Sequence, residues 1–196
     1  MTRRIVAVFG SSQPQPGSAA YEQARTLGCL LAQAGFDVLN GGYTGTMQGV
    51  SQGAAEAGGR AIGITCAIFD RTRPGGNPYL SRAVHAPDLL SRLRELTERA
   101  DGFVVLGGGV GTLLELFLVW NLRTVGVMDK PCVLVGAHWR QVLALLERET
   151  EVGPQHAALL AVVDTPQEAV AFLCDGVSSP GGLACRRRMV GVARRV

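Results

Sequence analysis

Short, unbroken apolar runs alternate along the chain with longer stretches whose apolar positions recur at helical spacing. The run Ile-Val-Ala-Val-Phe at 5–9 reads as a buried strand. Residues 19–33 follow with Leu27, Leu30, Leu31 and Ala34 spaced for one face of a helix. Further strands are expected at 36–39, 61–64, 83–85, 103–106, 132–135 and 161–163. Helices are expected at 47–57, 87–99, 112–122, 139–149 and 167–173. Pro87 stands in the first turn of the helix at 87–99, where its missing N–H costs nothing, and Thr165 is the expected cap of the last helix. Residues 69–81, rich in Pro, Gly and Arg, read as a loop.

Strands that are apolar throughout, each followed by a helix, require a parallel sheet covered on both faces. The expected fold is a doubly wound, Rossmann-like α/β sheet in a single domain spanning 1–175. Residues 176–196, with Ser-Ser-Pro-Gly-Gly and five arginines but no acid, are expected to form a basic, mobile tail.

Charge and composition narrow the function classes. The net charge of +3 becomes −2 once the tail's five arginines are removed, so the body is nearly neutral and is not expected to bind nucleic acid. No run of about 18 apolar residues is present to span a membrane. Residues 1–4 lead into an apolar run too short for a signal-peptide core, so a cytoplasmic location is expected. The five cysteines form no C-x-x-C pair. His85, His138 and His156 show no metal-ligand spacing and read as surface or packing residues. No metal and no other cofactor is expected. Lys130 is the only lysine among 19 basic residues.

Ligands of such folds bind outside the carboxyl ends of the strands. Three glycine-containing loops fall there: Gly10-Ser11-Ser12, Gly41-Gly42-Tyr43-Thr44-Gly45, and Gly107-Gly108-Gly109-Val110-Gly111-Thr112. Glycine allows backbone N–H groups to approach an anion, and the helix N-terminus that follows adds a favourable dipole. The loops therefore point to a phosphorylated ligand. A Walker A loop would need Gly-Lys-Ser/Thr, and the lone lysine is elsewhere. The dinucleotide pattern G-x-G-x-x-G begun at Gly107 ends on Thr112, and Asn40 stands where a ribose-binding acid would close the second strand. Pyridoxal phosphate chemistry would need a Schiff-base lysine. Lys130, before Pro131 at the start of a strand, is at the edge away from the glycine loops.

Between 102 and 122 the only charged residue is Glu115, in a helix that is apolar on every face and so expected to be buried. Burying a carboxylate costs several kcal/mol unless it is paired or serves a cleft, and a helix N-terminus returns only about 0.3–1 kcal/mol. Glu115 is therefore a candidate catalytic or ribose-binding group. Its cationic partner is sought among Arg92, Arg94 and Arg99 on the preceding helix, and spacing alone does not choose.

The segment Gly107-Gly108-Gly109-Val110-Gly111-Thr112-Leu113-Leu114-Glu115 resembles the P-G-G-x-G-T-x-x-E motif of the LONELY GUY (LOG) family of nucleoside 5′-monophosphate phosphoribohydrolases, often labelled lysine decarboxylases. The resemblance spans about residues 4–173. It includes Gly10-Ser11-Ser12, Gly41-Gly42-Tyr43-Thr44-Gly45-Thr46-Met47 (similar to G-G-x-x-G-L-M) and Ala100-Asp101-Gly102-Phe103. Gly107 replaces the motif's proline, Leu114 a commonly acidic residue and Gln48 a glycine. Loop 69–81 has no matched counterpart.

The resemblance implies hydrolysis of an N-glycosidic bond to free base and ribose 5-phosphate, with AMP or a cytokinin riboside monophosphate as substrate. It places the catalytic arginine at Arg92 and pairs it with Glu115. Phosphate would lie against Gly108, Gly109, Val110, Gly111 and Thr112, and the nucleoside against Ser11, Gly45 and Met47. It also implies a homodimer, in keeping with the many apolar faces of the helix carrying Phe117, Val119, Trp120 and Leu122. The rival reading is a non-catalytic carrier of a phosphorylated ligand, such as the molybdenum-cofactor carriers that resemble the same fold.

Overall fold

The computed structural model describes residues 3–73 and 75–176. Among them seven strands form one parallel sheet: β1 (Ile5–Phe9), β2 (Asp37–Asn40), β3 (Ala61–Cys66), β4 (Arg82–Ala86), β5 (Gly102–Val105), β6 (Cys132–Val135) and β7 (Ala161–Val163). Their order is β4-β3-β2-β1-β5-β6-β7. The chain winds outward from β1 to β4, then crosses back so that β5 pairs with β1 on its other side, Phe9 against Val105. The winding direction reverses between β1 and β5, and that is where a crevice opens at the carboxyl ends.

Alternation along the strands divides the core in two. Ala7, Phe9, Phe103, Val105 and Leu134 point to one face, under α3 (Leu89–Glu98), α4 (Val110–Thr124) and α5 (His138–Glu149). Val6, Val8, Val38, Val104 and Val133 point to the other, under α1 (Ala19–Gln33), α2 (Thr46–Glu56) and α7 (Pro166–Gly176). Both faces are covered, as the uniformly apolar strands demand. The doubly wound α/β fold is that expected from the alternation of runs.

Glycine lets α1 and α2 touch backbone to backbone. A Cβ on Gly53 would overlap the Arg25 carbonyl, lying 2.7 Å from its carbon and 2.9 Å from Cys29 N. Gly28 meets Val50 of α2 in the same way. Because the obstacles are main chain, relief requires the helices to move apart. Gly53→Ala is expected to cost about 1–3 kcal/mol, although alanine is the better helix former, and urea unfolding against the parent chain measures it.

Several boundaries differ from expectation for local reasons. α3 begins at Leu89, not Pro87, because Asp88 takes the N-cap and its carboxylate accepts from Ser91 N at 2.8 Å. α4 begins two residues early, at Val110, and runs two past Leu122 to Thr124. A short helix, α6 (Pro154–Ala157), lies within a stretch read as connection. The last helix has its expected cap: Thr165 Oγ1 accepts from Glu168 N at 3.3 Å, and Glu168 reaches back to Thr165 N at 3.1 Å. The expected tail lies outside the described residues, except Gly176, where α7 ends. No helix among the described residues is long and apolar enough to cross a membrane.

One expectation about α4 is corrected. The helix is not buried on every face: Glu115, Leu116, Val119 and Trp120 are buried, but Val110, Leu114 and Phe117 are exposed by 84%, 42% and 41%. These three follow the i, i+4, i+7 spacing and form one apolar stripe. The cause is tertiary. The sheet and α3 cover only one side of the helix, and the sequence pattern cannot show how many sides have neighbours.

Candidate active site

The Arg92–Glu115 pair stands beneath the crevice. Arg92, on the first turn of α3, donates from Nη1 to Glu115 Oε1 at 3.1 Å and from Nε to the Ile64 carbonyl at 2.9 Å. Both residues are buried, at 7% and 8% exposure. Arg94 is exposed, and Arg99 pairs with its own helix neighbour Glu95. Of the three candidate arginines, only Arg92 reaches the carboxylate, because residue 92 lies on the face of α3 that packs on the sheet.

Burial pushes the Glu115 carboxyl above its ordinary value, while the charge and hydrogen bond of Arg92 pull it back down; the net direction is upward. A carboxylate so placed is ionised only at a cost in stability, which marks it for chemistry more than for architecture.

The glycines around the pair make room for it. A Cβ on Gly41 would collide with Arg92 Nη2 and lie 2.7 Å from Met47 Sδ, so the guanidinium rests on bare backbone at the end of β2. Gly45, with φ of +72°, turns the chain against the backbone of Ser11 and Ser12. Thr46 then donates to the Ser11 carbonyl from both N (2.8 Å) and Oγ1 (3.0 Å). Asn40, standing where an acid would hold a ribose, is a structural residue: its amide binds Ser51 Oγ at 2.9 Å and its Oδ1 accepts from Gly42 N at 2.8 Å. Ser11, Gly45 and Met47 thus belong to one interlocked wall beside Arg92.

On the opposite side, Gly109 caps α4 with no side chain, and Gly108 lies so close to Thr112 that a Cβ there would overlap the threonine hydroxyl. Gly107, Gly108, Gly109, Val110 and Gly111 are exposed, while Thr112 is buried. The first N–H groups of α4 therefore face outward from a bare backbone, the arrangement that receives an anion. Leu106 N donates to the Phe9 carbonyl at 2.9 Å where β1 and β5 leave the sheet, so the loop of Ser11 and Ser12 and the loop of Gly107 to Thr112 flank one crevice.

Two neighbours of the crevice were not legible in the sequence. His138, read as an ordinary surface residue, is exposed but stands against Gly107, its Nε2 3.6 Å from where a Cβ would be. Arg73, inside the unmatched loop 69–81, reaches Ser12 Oγ at 3.3 Å. No local pattern signals either one, since both contacts join segments remote in sequence.

Lys130 is engaged far from all this. Its Nζ donates to the carbonyls of Thr97 (3.0 Å) and Glu98 (3.1 Å), closing the C-terminus of α3 at the amino edge of the sheet. A lysine held there cannot form a Schiff base with a ligand at the carboxyl edge. Groups of three or more His, Cys, Asp or Glu side chains able to hold a metal are absent among the described residues.

The family model described as "Possible lysine decarboxylase" matches residues 47–173. A cytokinin riboside 5′-monophosphate phosphoribohydrolase of Arabidopsis thaliana is 33% identical over 179 residues, 87% of this chain and 81% of that protein. One from Mycobacterium tuberculosis (strain ATCC 25618 / H37Rv) is 31% identical, covering 84% of this chain and 90% of its own. A crystal structure from a structural genomics consortium superimposes with a TM-score of 0.69 at 32% identity, covering 87% of this chain and 98% of that one. A molybdenum cofactor binding protein from Rippkaea orientalis reaches the same TM-score at 24% identity, covering 88% and 96%, which is a likeness of fold.

Proposed function

The chain belongs to the LONELY GUY (LOG) phosphoribohydrolase family, and from that premise we propose that it hydrolyses the N-glycosidic bond of a nucleoside 5′-monophosphate. Free base and ribose 5-phosphate are the products. The buried Arg92–Glu115 pair beside the uncapped start of α4 is the observation that carries this reading. In it, the backbone N–H groups from Gly109 to Thr112 and the Thr112 hydroxyl hold the phosphate. Glu115, ionised, accepts from ribose hydroxyls and stabilises the positive charge that develops at C1′ as the base departs. Water supplies the oxygen that bonds to C1′, and the base leaves with a proton. Arg92 holds Glu115 in place and meets negative charge on the substrate. Ser11, Gly45 and Met47 line the nucleoside side. Pyridoxal phosphate decarboxylation has no lysine at this edge to support it, given where Lys130 is held.

The substrate's base is adenine or an N6-substituted, cytokinin-like adenine. The exposed stripe of Val110, Leu114 and Phe117 supports a homodimer in which a second copy covers α4 beside the site. A cytoplasmic location belongs to the same reading. In this reading residues 1–175 form the catalytic domain.

Incubating the full chain with AMP and the other monophosphates and following base release by chromatography is the direct test. Stoichiometric binding of a monophosphate with no base released would replace the enzyme by a carrier.

A further inference from the structure

Loop 69–81 is the part of the crevice wall that the family motifs leave unassigned, and it is tied down at several points. Asn77 donates from N to the Gly42 carbonyl at 2.7 Å and from Nδ2 to the carbonyls of Gly42 and Tyr43, each at 3.2 Å. Tyr43 in turn is locked to β3 through its hydroxyl, which accepts from Cys66 N at 2.8 Å. The loop is thereby strapped across the glycine turn that contacts Ser11 and Ser12.

The strap carries Arg73. Its guanidinium carbon lies 5.2 Å from the Phe69 ring centroid and 5.7 Å from that of Tyr43, and the two rings meet edge to face at 5.7 Å. A guanidinium held near two rings by cation–π attraction keeps N–H groups available for an anion. Of its five donors, Ser12 Oγ takes one, at 3.3 Å, and no other side chain or backbone acceptor among the described residues receives from it.

The charge inventory of the crevice gives that side chain a purpose. A nucleoside monophosphate brings up to two negative charges, and the start of α4 offers N–H dipoles but no cation. Arg92 is committed to Glu115 and Ile64, and Arg140 at the start of α5 to Asp164. Arg71, on the same loop, is exposed. Arg73 is the arginine in contact with the loop after β1, which leaves the sheet beside the phosphate loop.

We propose that Arg73 is a substrate-binding residue that pairs its guanidinium with the substrate's phosphate across Ser12. The proposal rests on the phosphoribohydrolase reading for the identity of the phosphate's carrier. It also states why the loop is aromatic and arginine-bearing here: Phe69 and Tyr43 hold a cation ready, in place of a lysine in the glycine loop itself.

The test compares the full chain with Arg73→Gln and Arg73→Lys in two assays. In calorimetric titration with ribose 5-phosphate, Arg73→Gln should weaken binding about tenfold or more, and Arg73→Lys should recover part of it. Adenosine, which lacks the phosphate, should bind all three proteins alike. In base release from AMP, KM should rise by a similar factor with kcat within about threefold, as removal of uniform binding requires. Unchanged ribose 5-phosphate binding in Arg73→Gln would overturn the proposal. An equal loss for adenosine would also overturn it, showing a strap with no phosphate contact, as would a penalty that follows the identity of the base. If the parent chain releases no base from any monophosphate, the phosphoribohydrolase reading fails by itself, and the ribose 5-phosphate titration still decides the role of Arg73.

Discussion

Glu115→Gln is expected to lose about two orders of magnitude or more in kcat for base release, yet to resist unfolding at neutral pH at least as well as the parent chain. The two halves of that result share one cause. Glu115 is 8% exposed, and burial raises its carboxyl pKa in spite of Arg92. A group whose folded pKa lies above its ordinary 4.5 favours the folded state below pH 4.5, and that contribution is lost as pH rises through the folded value. At neutral pH the ionised carboxylate is thus a cost of the fold. Glutamine keeps an acceptor for Arg92 Nη1 without the charge, so the cost disappears and the transition-state charge loses its partner. Thermal melts of both proteins from pH 4 to 8 should diverge toward high pH, with the variant the flatter. The kcat/KM of the parent should fall on its acid side at a pH above 4.5, because the carboxylate must be ionised to act. Full activity in Glu115→Gln would sink the assignment.

Arg92→Ala should behave in the opposite way, losing both activity and fold. Removing the guanidinium leaves Glu115 buried without its cation, takes the donor from the Ile64 carbonyl, and opens a void against Gly41 and Met47. In Glu115→Gln the guanidinium keeps an acceptor at position 115 and the Ile64 carbonyl. Leaving a buried charge with neither its counter-ion nor its hydrogen-bond donor, in contrast, typically costs about 3–5 kcal/mol. The expected loss is of that size by denaturant titration at pH 7, shrinking as the pH falls and Glu115 takes up a proton. The double variant Arg92→Met/Glu115→Gln should recover most of the lost stability while remaining inactive, since neither residue then carries a charge. A cost below about 1 kcal/mol for Arg92→Ala would mean that the pair does not stand in a low-dielectric site.

These expectations also measure how much of the molecule was legible in one dimension. β1 and β6 fall where the apolar runs predicted them, because a strand buried on both faces leaves a compositional mark on nearly every residue; β7, a half-buried edge strand, also falls at its apolar run. The end of α3 and the start of β5 were blurred by a residue or two, as hydrogen-bonding partners decide such limits. Glu115 could be singled out as an isolated charge in an apolar helix. Spacing alone did not choose its partner, since Arg92, Arg94 and Arg99 are equivalent by it. The family resemblance pointed to Arg92, and the face on which α3 packs is the physical reason that it is Arg92. Arg73 and His138 left no trace, since a contact between a loop and a distant turn has no periodicity.

The amino-acid sequence by itself determined the alternation of strands and helices, the glycine turns at their carboxyl ends and the carboxylate in an apolar helix. Each of these follows from local sterics or from the energy of burying a single residue. Only the tertiary structure decided that β5 returns beside β1 and that one stripe of α4 is left uncovered, and the packing of α3 is what brings Arg92, not Arg94 or Arg99, to Glu115. It also decided that Lys130 closes α3 at the far edge. Those outcomes depend on which surfaces meet, and a sequence pattern records the apolarity of a surface without recording its neighbour.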